Sequence, residues 1–261
     1  MKISIITAAY NSAATLGDTM HSVLSQSYDD WEHIVVDGGS RDGTLELIRD
    51  IDPRYAGRLR WVSEPDHGIY DAMNKGIAMA TGDVIGILNS DDFYTSDDIL
   101  ERVANEIDAG KDIDAIYGDI HFVNGADLNR CVRYYSSKRF HRWKMCMGYQ
   151  PAHPSFYCRR KIYEQYGVFD TGFKVGADFE HLLRLIYVNR INARYIPLDF
   201  VTMRTGGAST SGISSYITIM RDKLKAFRKH GIRWAYLTIW MCYPSKLMEV
   251  LMPRHSKNKS L

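Results

Sequence analysis

Cysteine is scarce in this chain: Cys131, Cys146, Cys158 and Cys242 are the only four, and none form a C-x-x-C pair or a zinc-ligand spacing. A disulfide scaffold and a structural zinc site are therefore not expected, and reduced thiols in a cytosol are. Long apolar runs are missing too. No stretch approaches the roughly 20 residues that a membrane-spanning helix needs. Residues 1–7 read as a strand from the outset, so no secretory leader is expected. Two large nucleotide-binding classes lack their phosphate cradle here, since there is neither a G-x-G-x-x-G nor a Walker A motif. Asp42-Gly43-Thr44 has the look of an aspartyl-phosphatase motif. Those enzymes need Asp-x-Asp at the end of the first strand, where this chain has Thr7-Ala8-Ala9.

What is present is ordinary in bulk and uneven in distribution. Apolar residues make up 45% and charged residues 25%, as in a soluble globular protein. The 17 tyrosines offer flat rings that suit carbohydrate faces and half-buried surfaces alike. A net charge of +2 conceals a split. Residues 221–261 hold ten of the 33 Lys and Arg but two of the 31 acids, leaving 23 bases against 29 acids elsewhere. An acidic body with a basic tail argues against a nucleic-acid binder and for a tail that meets an anionic surface.

The chain is organised around Val84-Ile85-Gly86-Ile87-Leu88-Asn89-Ser90-Asp91-Asp92-Phe93-Tyr94. Its apolar run reads as a strand buried on both faces, and open α/β sheets place ligands at the carboxyl end of such strands. Adjacent carboxylates repel, and a hard divalent ion shared with phosphate oxygens would keep both ionised. A solvated turn or a helix cap is the competing reading. Upstream, strands are expected at 3–8, 33–36 and 61–63, and helices carry the stripe Leu16, Met20, Val23, Leu24, the stripe Leu47, Ile48, Ile51, and residues 69–80. This alternation implies an α/β fold with a mostly parallel central sheet and helices on both faces. Downstream, strands are expected at 115–117, 121–123 and 194–203, and helices near 161–166, after Asp178, at 214–230 and at 234–251.

The early strands all end in polar clusters at one edge. Thr7 to Asn11 would wall a nucleotide base with Tyr10. Asp37 would accept a hydrogen bond from a base imide or a ribose hydroxyl, with Gly38 and Gly39 permitting close backbone approach. The same stretch would also serve as a turn and an N-capped helix start through Ser40 or Asp42.

Thr7-Ala8-Ala9-Tyr10-Asn11, Val35-Val36-Asp37-Gly38-Gly39-Ser40-x-Asp42-Gly43-Thr44, Ser63-Glu64-Pro65-Asp66-x-Gly68-Ile69-Tyr70-Asp71-Ala72-Met73-Asn74-Lys75-Gly76 and the Leu88 to Tyr94 run together resemble family-2 glycosyltransferases of the GT-A fold, a Rossmann-like nucleotide-diphospho-sugar transferase architecture. The likeness is to bacterial enzymes of capsule, exopolysaccharide or O-antigen synthesis. It is dense over residues 3–95, looser to about residue 205, and absent beyond. It implies a hexosyltransferase-type enzyme that moves one sugar, with inversion, from a nucleotide-diphosphate sugar to a hydroxyl of a saccharide acceptor. UDP is the favoured nucleotide, Mn²⁺ or Mg²⁺ the cofactor, and a lipid-linked saccharide the acceptor. Asp37 would bind the base and Asp66 close its pocket. Asp91 would hold the ribose or share the metal, and Asp92 would ligate the metal. Many relatives have Asp-x-Asp here, whereas this chain has Asn89-Ser90-Asp91-Asp92. Gly176-Ala177-Asp178-Phe179-Glu180 resembles the base motif, with Asp178 as catalytic base. Asp178 would serve equally as the N-cap of the helix that follows.

His153 would contact the metal or the acceptor, or simply structure its loop. Arg204 would swing onto the diphosphate, or be a surface residue. Lys75 fits a solvated face better than a phosphate contact. The Gln-x-x-Arg-Trp of processive members is absent, which favours single addition. The expected organisation is a GT-A domain over 1–212, with a nucleotide half at 1–95 and an acceptor half at 96–212, followed by a basic amphipathic helical extension at 213–261. That extension would lie on anionic lipid, placing a cytoplasmic enzyme peripherally on the inner face of the inner membrane, or would pack on the body or on a twin subunit of a homo-oligomer. Two alternatives remain: a nucleotidyltransferase, and a catalytically silent sugar-binding or scaffold subunit.

Overall fold

The computed structural model describes residues 1–110, 112–125, 127–206 and 212–239. Four strands form where short apolar runs stop at turn formers: β1 (Ile3–Ala9), β2 (Trp31–Asp37), β3 (Leu59–Ser63) and β4 (Val84–Ile87). β1, β2 and β4 are buried at every position, as strands covered by helices on both faces must be. They are parallel, β3 on β2, β2 on β1, and β1 on β4. Strand addition therefore changes direction between β1 and β4, and such a switch point opens a crevice at the carboxyl ends.

Five later strands extend the sheet: β5 (Phe93–Tyr94), β6 (Ala115–Asn124), β7 (Asp127–Tyr135), β8 (Tyr157–Arg159) and β9 (Ala193–Arg204). Among the described residues the order is β3-β2-β1-β4-β8-β6-β9-β5, with β7 paired to β6. β8 runs antiparallel to β4, Gly86 opposite Tyr157 and Val84 opposite Arg159. The residues just before β8 therefore lie at the edge where β4 ends. The two strands expected at 115–117 and 121–123 are one. Gly118-Asp119, which looks like a break in sequence, is a register shift against β9 inside a continuous β6. β7 is mostly exposed, has no apolar alternation to announce it, and exists through its pairing with β6.

The helices are α1 (Leu16–Leu24), α2 (Thr44–Ile51), α3 (Ile69–Met79), α4 (Ile99–Asp108), α5 (Arg160–Tyr166), α6 (Ala177–Leu182) and α7 (Gly212–Lys229). α1, α2 and α4 bury their stripes on one face of the sheet, and α3, α5, α6 and α7 on the other. α4, with Ile99, Leu100, Val103, Ala104 and Ile107 inward, is a helix that a motif-led reading passes over. No described helix is long and apolar enough to cross a membrane.

The basic C-terminal stretch begins in α7, whose Met220, Ala226 and Phe227 join the core that α3 and α6 share. Three of its lysines turn inward to the body: Lys223 Nζ donates to the Gly148 carbonyl (2.6 Å), Lys225 Nζ to the Gly172 carbonyl (2.6 Å), and Lys229 Nζ to Asp170 (2.7 Å) and Glu180 (2.9 Å). Of the helix expected over 234–251, a turn at 235–239 is described, and the remainder lies outside the described residues.

Glu180 locks α6 to α7. Its side chain is fully buried and accepts from His230, Lys229 and Arg184. Burial alone would raise its pKa, but the hydrogen bonds from His230 and Lys229 with the Arg184 charge outweigh it, lowering the value from 4.5 to about 2. A lowered carboxyl stabilises the fold above its ordinary pKa and loses that contribution as pH falls through about 2. The full shift corresponds to about 3 kcal/mol. Chemical denaturation of wild type should therefore weaken between about pH 5 and about pH 2, and Glu180→Gln should be the less stable protein at neutral pH with a flatter profile. Identical profiles would remove Glu180 from this account.

Candidate active site

The loops after β1, β2 and β4 are stitched together by short polar side chains. The Asn11 amide donates to Ser40 Oγ (2.7 Å), the Ser12 amide to Thr44 Oγ1 (2.8 Å), and Ser12 Oγ meets Ser90 Oγ (2.9 Å). Thr7 belongs to this stitching. It is fully buried, with Oγ1 donating to the Leu88 carbonyl at 2.7 Å and meeting His33 Nε2 at 2.9 Å. It ties β1 to β4 and offers no surface to a ligand, contrary to the sequence expectation.

Asp37 is also turned inward. Fully buried, its carboxylate accepts from the Gly39 amide (3.0 Å), the Ser40 amide (2.9 Å), Ser63 Oγ (2.7 Å) and Ser40 Oγ. It fastens the turn after β2 to the end of β3. Asp66, by contrast, is only partly buried and stands against the same turn. A Cβ placed on Gly38 would stand 3.1 Å from Asp66 Cγ and 3.3 Å from Tyr10 Cδ2, so Asp66 fills the space a side chain at 38 would take. Asp66 Oδ1 accepts from the Gly68 amide (2.8 Å) at the start of α3. Tyr10 beside it is 65% exposed, a flat ring open to stacking. Lys75 pairs with Glu64 (2.8 Å) and donates to the Pro65 carbonyl (3.2 Å), bracing this turn from α3.

Asp91 and Asp92 follow the end of β4. Asp91 is half-buried and Asp92 is 1% exposed. Asp92 Oδ2 accepts from Asn89 Nδ2 (2.9 Å), whereas Oδ1 is buried with no hydrogen-bond partner among the described residues. Burial, then the neighbouring Asp91 charge, pushes the Asp92 carboxyl well above its usual range, against Asn89 and Arg204. Burial raises Asp91 as well, against its own amide and Arg204. An uncompensated pair of this kind is what a cation would settle. Among the described residues no cluster of three His, Cys, Asp or Glu could hold a metal. Arg204 stands at this edge, Nη1 donating to the Asp91 carbonyl (2.6 Å), Nη2 paired with Asp18, and its guanidinium 5.1 Å from the Phe93 ring.

Asp178 lies in α6, beside the segment that leads into β8. Gln150, in the segment that precedes β8, donates Nε2 to Asp178 Oδ2 at 2.8 Å. The N-cap position of α6 is Gly176, and no side chain caps it, so Asp178 sits inside the helix and does not serve as the cap. His153 is held below its ordinary pKa by burial, with the Asp178 charge opposing, and its ring meets Phe169 edge-on at 5.4 Å. Gln150 has no signal in sequence beyond its place before Pro151, and only the fold brings it to Asp178.

Comparison with known proteins gives the family and the fold. A family model described as glycosyl transferase family 2 matches residues 4–175. The chain is 29% identical over 263 residues to an uncharacterized glycosyltransferase of Mycobacterium tuberculosis, covering 98% of each. It is 30% identical over 193 residues to a PGL/p-HBAD biosynthesis glycosyltransferase of Mycobacterium bovis, covering 74% of this chain and 73% of that one. Among solved structures it resembles S. aureus TarS 1-349 in complex with UDP-GlcNAc (TM-score 0.68, 19% identity, 87% of this chain and 66% of that one). It likewise resembles the mannosyltransferase PcManGT from Pyrobaculum calidifontis in complex with GDP-Man and Mn²⁺ (TM-score 0.66, 22% identity, 88% and 64%). It spans 38% of the longer TarS chain. These structures establish the GT-A fold, and the family model and curated relatives replace the nucleotidyltransferase alternative with a glycosyltransferase. Matched by that model over more than half its length, the chain belongs to glycosyl transferase family 2.

Proposed function

We propose that this enzyme transfers one sugar, with inversion, from a UDP-sugar to a hydroxyl of a lipid-linked saccharide at a cytoplasmic membrane surface. Two observations support the reading: the Asp91–Asp92 pair follows the end of β4, and Gln150, in the segment that leads into β8 beside β4, grips the Asp178 carboxylate. Tyr10 stacks on the base, and Asp66 reads it. With Oδ1 engaged by the Gly68 amide, Asp66 offers Oδ2 to a single donor such as the imide N–H of uracil. Cytosine has a lone pair at that position and is rejected. Asp91 and Asp92 would hold Mn²⁺ or Mg²⁺, which when bound offsets charge on a departing diphosphate.

The acceptor oxygen attacks the anomeric carbon from the face opposite the diphosphate, forming one C–O bond as the other breaks. Asp178 takes the hydroxyl proton at Oδ1, since Oδ2 is engaged by Gln150. Neutral His153 beside it adds no competing positive charge. Arg204, already at the Asp91 carbonyl, needs only a side-chain rotation to reach phosphate oxygens.

A thermal-shift panel tests the donor. UDP-N-acetylglucosamine or UDP-glucose with Mn²⁺ should raise the melting temperature, and CDP should not, because a ligand bound only by the native state stabilises it. An equal response to CDP would remove Asp66 from base selection. If no nucleotide sugar shifts the transition, the donor reading is wrong.

For the membrane surface the support is Trp234 (50% exposed) and Leu237 (76% exposed) beside the exposed Arg228 and Arg233. Interfacial aromatic and basic residues suit anionic lipid. Deleting 234–261 would uncover the core through Ala235 and Ile239, so point changes are the better probe. Trp234→Ala with Leu237→Ser should lose most cosedimentation with phosphatidylglycerol vesicles while keeping its melting temperature. Unchanged sedimentation would exclude this surface.

A further inference from the structure

The segment that delivers Asp178 is clasped from two sides by α3 and α7, neither of which supplies a group to the reacting atoms in the proposed chemistry. On α3, Asn74 bonds Phe169 twice, Nδ2 to its carbonyl and Oδ1 from its amide, both at 2.9 Å. One turn further towards the start of α3, the Tyr70 hydroxyl donates to the Val175 carbonyl. From α7, Asp222 Oδ2 accepts from the amides of Val175 and Gly176, each at 2.9 Å. Both backbone groups of Val175 are thus taken, one by each helix. Asp222 is 8% exposed, and a Cβ on Gly176 would come within 2.7 Å of Asp222 Cβ, so glycine is what lets the helices close on the segment. Asp178 lies two residues beyond Gly176.

We infer that Tyr70 and Asp222 are positioning residues for the Asp178 carboxylate, and this rests on the reading of Asp178 as the base. α6 has no capping side chain of its own, and its start is placed by Asp222 reaching across from the C-terminal helix. The start of α3 carries the other end of the connection, because Gly68 holds Asp66 in the base pocket. Tyr70 therefore references the base to the same helix that positions the nucleotide. The catalytic oxygen and the donor share one rigid support, and a proton-transfer geometry sensitive to displacements of about 1 Å needs such a support.

The test uses the full chain. Sugar transfer is followed as nucleotide release from UDP-N-acetylglucosamine, UDP-glucose or GDP-mannose, with a bacterial envelope lipid extract as acceptor. UDP affinity is measured by calorimetry. Asp222→Ala, Tyr70→Phe and Gly176→Ala should each lower kcat about 10- to 100-fold while UDP affinity stays within about 2-fold of wild type, since none of the three touches the nucleotide. Asp222→Asn should restore most of the rate, because its amide oxygen accepts both N–H groups. Should Asp222→Ala fail to fold, Tyr70→Phe and Gly176→Ala reach the same contact from the other side. Unchanged kcat, or kcat and UDP affinity falling together with no rescue by Asn, overturns the inference and leaves the base assignment standing. A wild-type protein inactive with all three donors overturns the functional reading itself.

Discussion

Asp178→Asn is expected to lower the rate of sugar transfer about a hundred- to ten-thousand-fold, the range that a positioned general base contributes. Its UDP affinity should be that of wild type. The substitution is nearly isosteric, and an Asn Oδ1 still accepts from Gln150 Nε2, so the surroundings that place residue 178 survive. What is lost is the ability to take a proton from the acceptor hydroxyl. Single-turnover measurement with saturating donor isolates that step. Turnover within a few-fold of wild type would exclude Asp178 as the base, and the deprotonating group would then be sought at His153.

The second large effect is expected at the carboxylate pair. Asp91→Asn should weaken the Mn²⁺-dependent part of UDP binding by about 100-fold or more, beyond what losing a hydrogen-bond partner of a metal ligand typically does. Asp92→Asn should weaken it less. Of the two, Asp91 is the one with solvent access, while Asp92 is buried against Asn89. Asp92→Asn should instead raise the metal-free melting temperature at neutral pH. Burial and the Asp91 charge lift the Asp92 carboxyl above its ordinary value of 3.8, so its contribution to stability is present below that value and fades as pH rises. Calorimetry of UDP with and without Mn²⁺ decides the matter. If Asp92→Asn has the larger loss, the two residues exchange roles; if neither does, no cation is held here.

The strand-ended clusters are legible in sequence because strands buried on both faces are short apolar runs with abrupt polar ends, and β1, β2 and β4 are such runs. Their carboxylates are legible as a set and not as individuals. Asp37 and Asp66 look alike on paper. One spends its oxygens on Gly39, Ser40 and Ser63, and the other occupies the hollow above Gly38. A carboxylate at a strand end serves its own turn or a ligand depending on which N–H groups the backbone aims at it, and dihedral angles are not written in composition. The basic tail shows the same limit. Its lysines read as a charged face for lipid, yet Lys223, Lys225 and Lys229 are drawn inward to carbonyls and carboxylates of the body.

The sequence by itself determined the α/β alternation, the polar ends of the early strands, the family, and the acidic residues worth testing, because periodicity and local turn chemistry act over a few residues. Only the tertiary structure decided which of those acids is spent inside a turn, as Asp37 is, and what holds Asp178 in place. Tyr70 meets Val175 across 105 residues, and Asp222 meets it across 47. Contacts at that separation follow from how helices pack on the two faces of the sheet, and no local pattern in the chain encodes them.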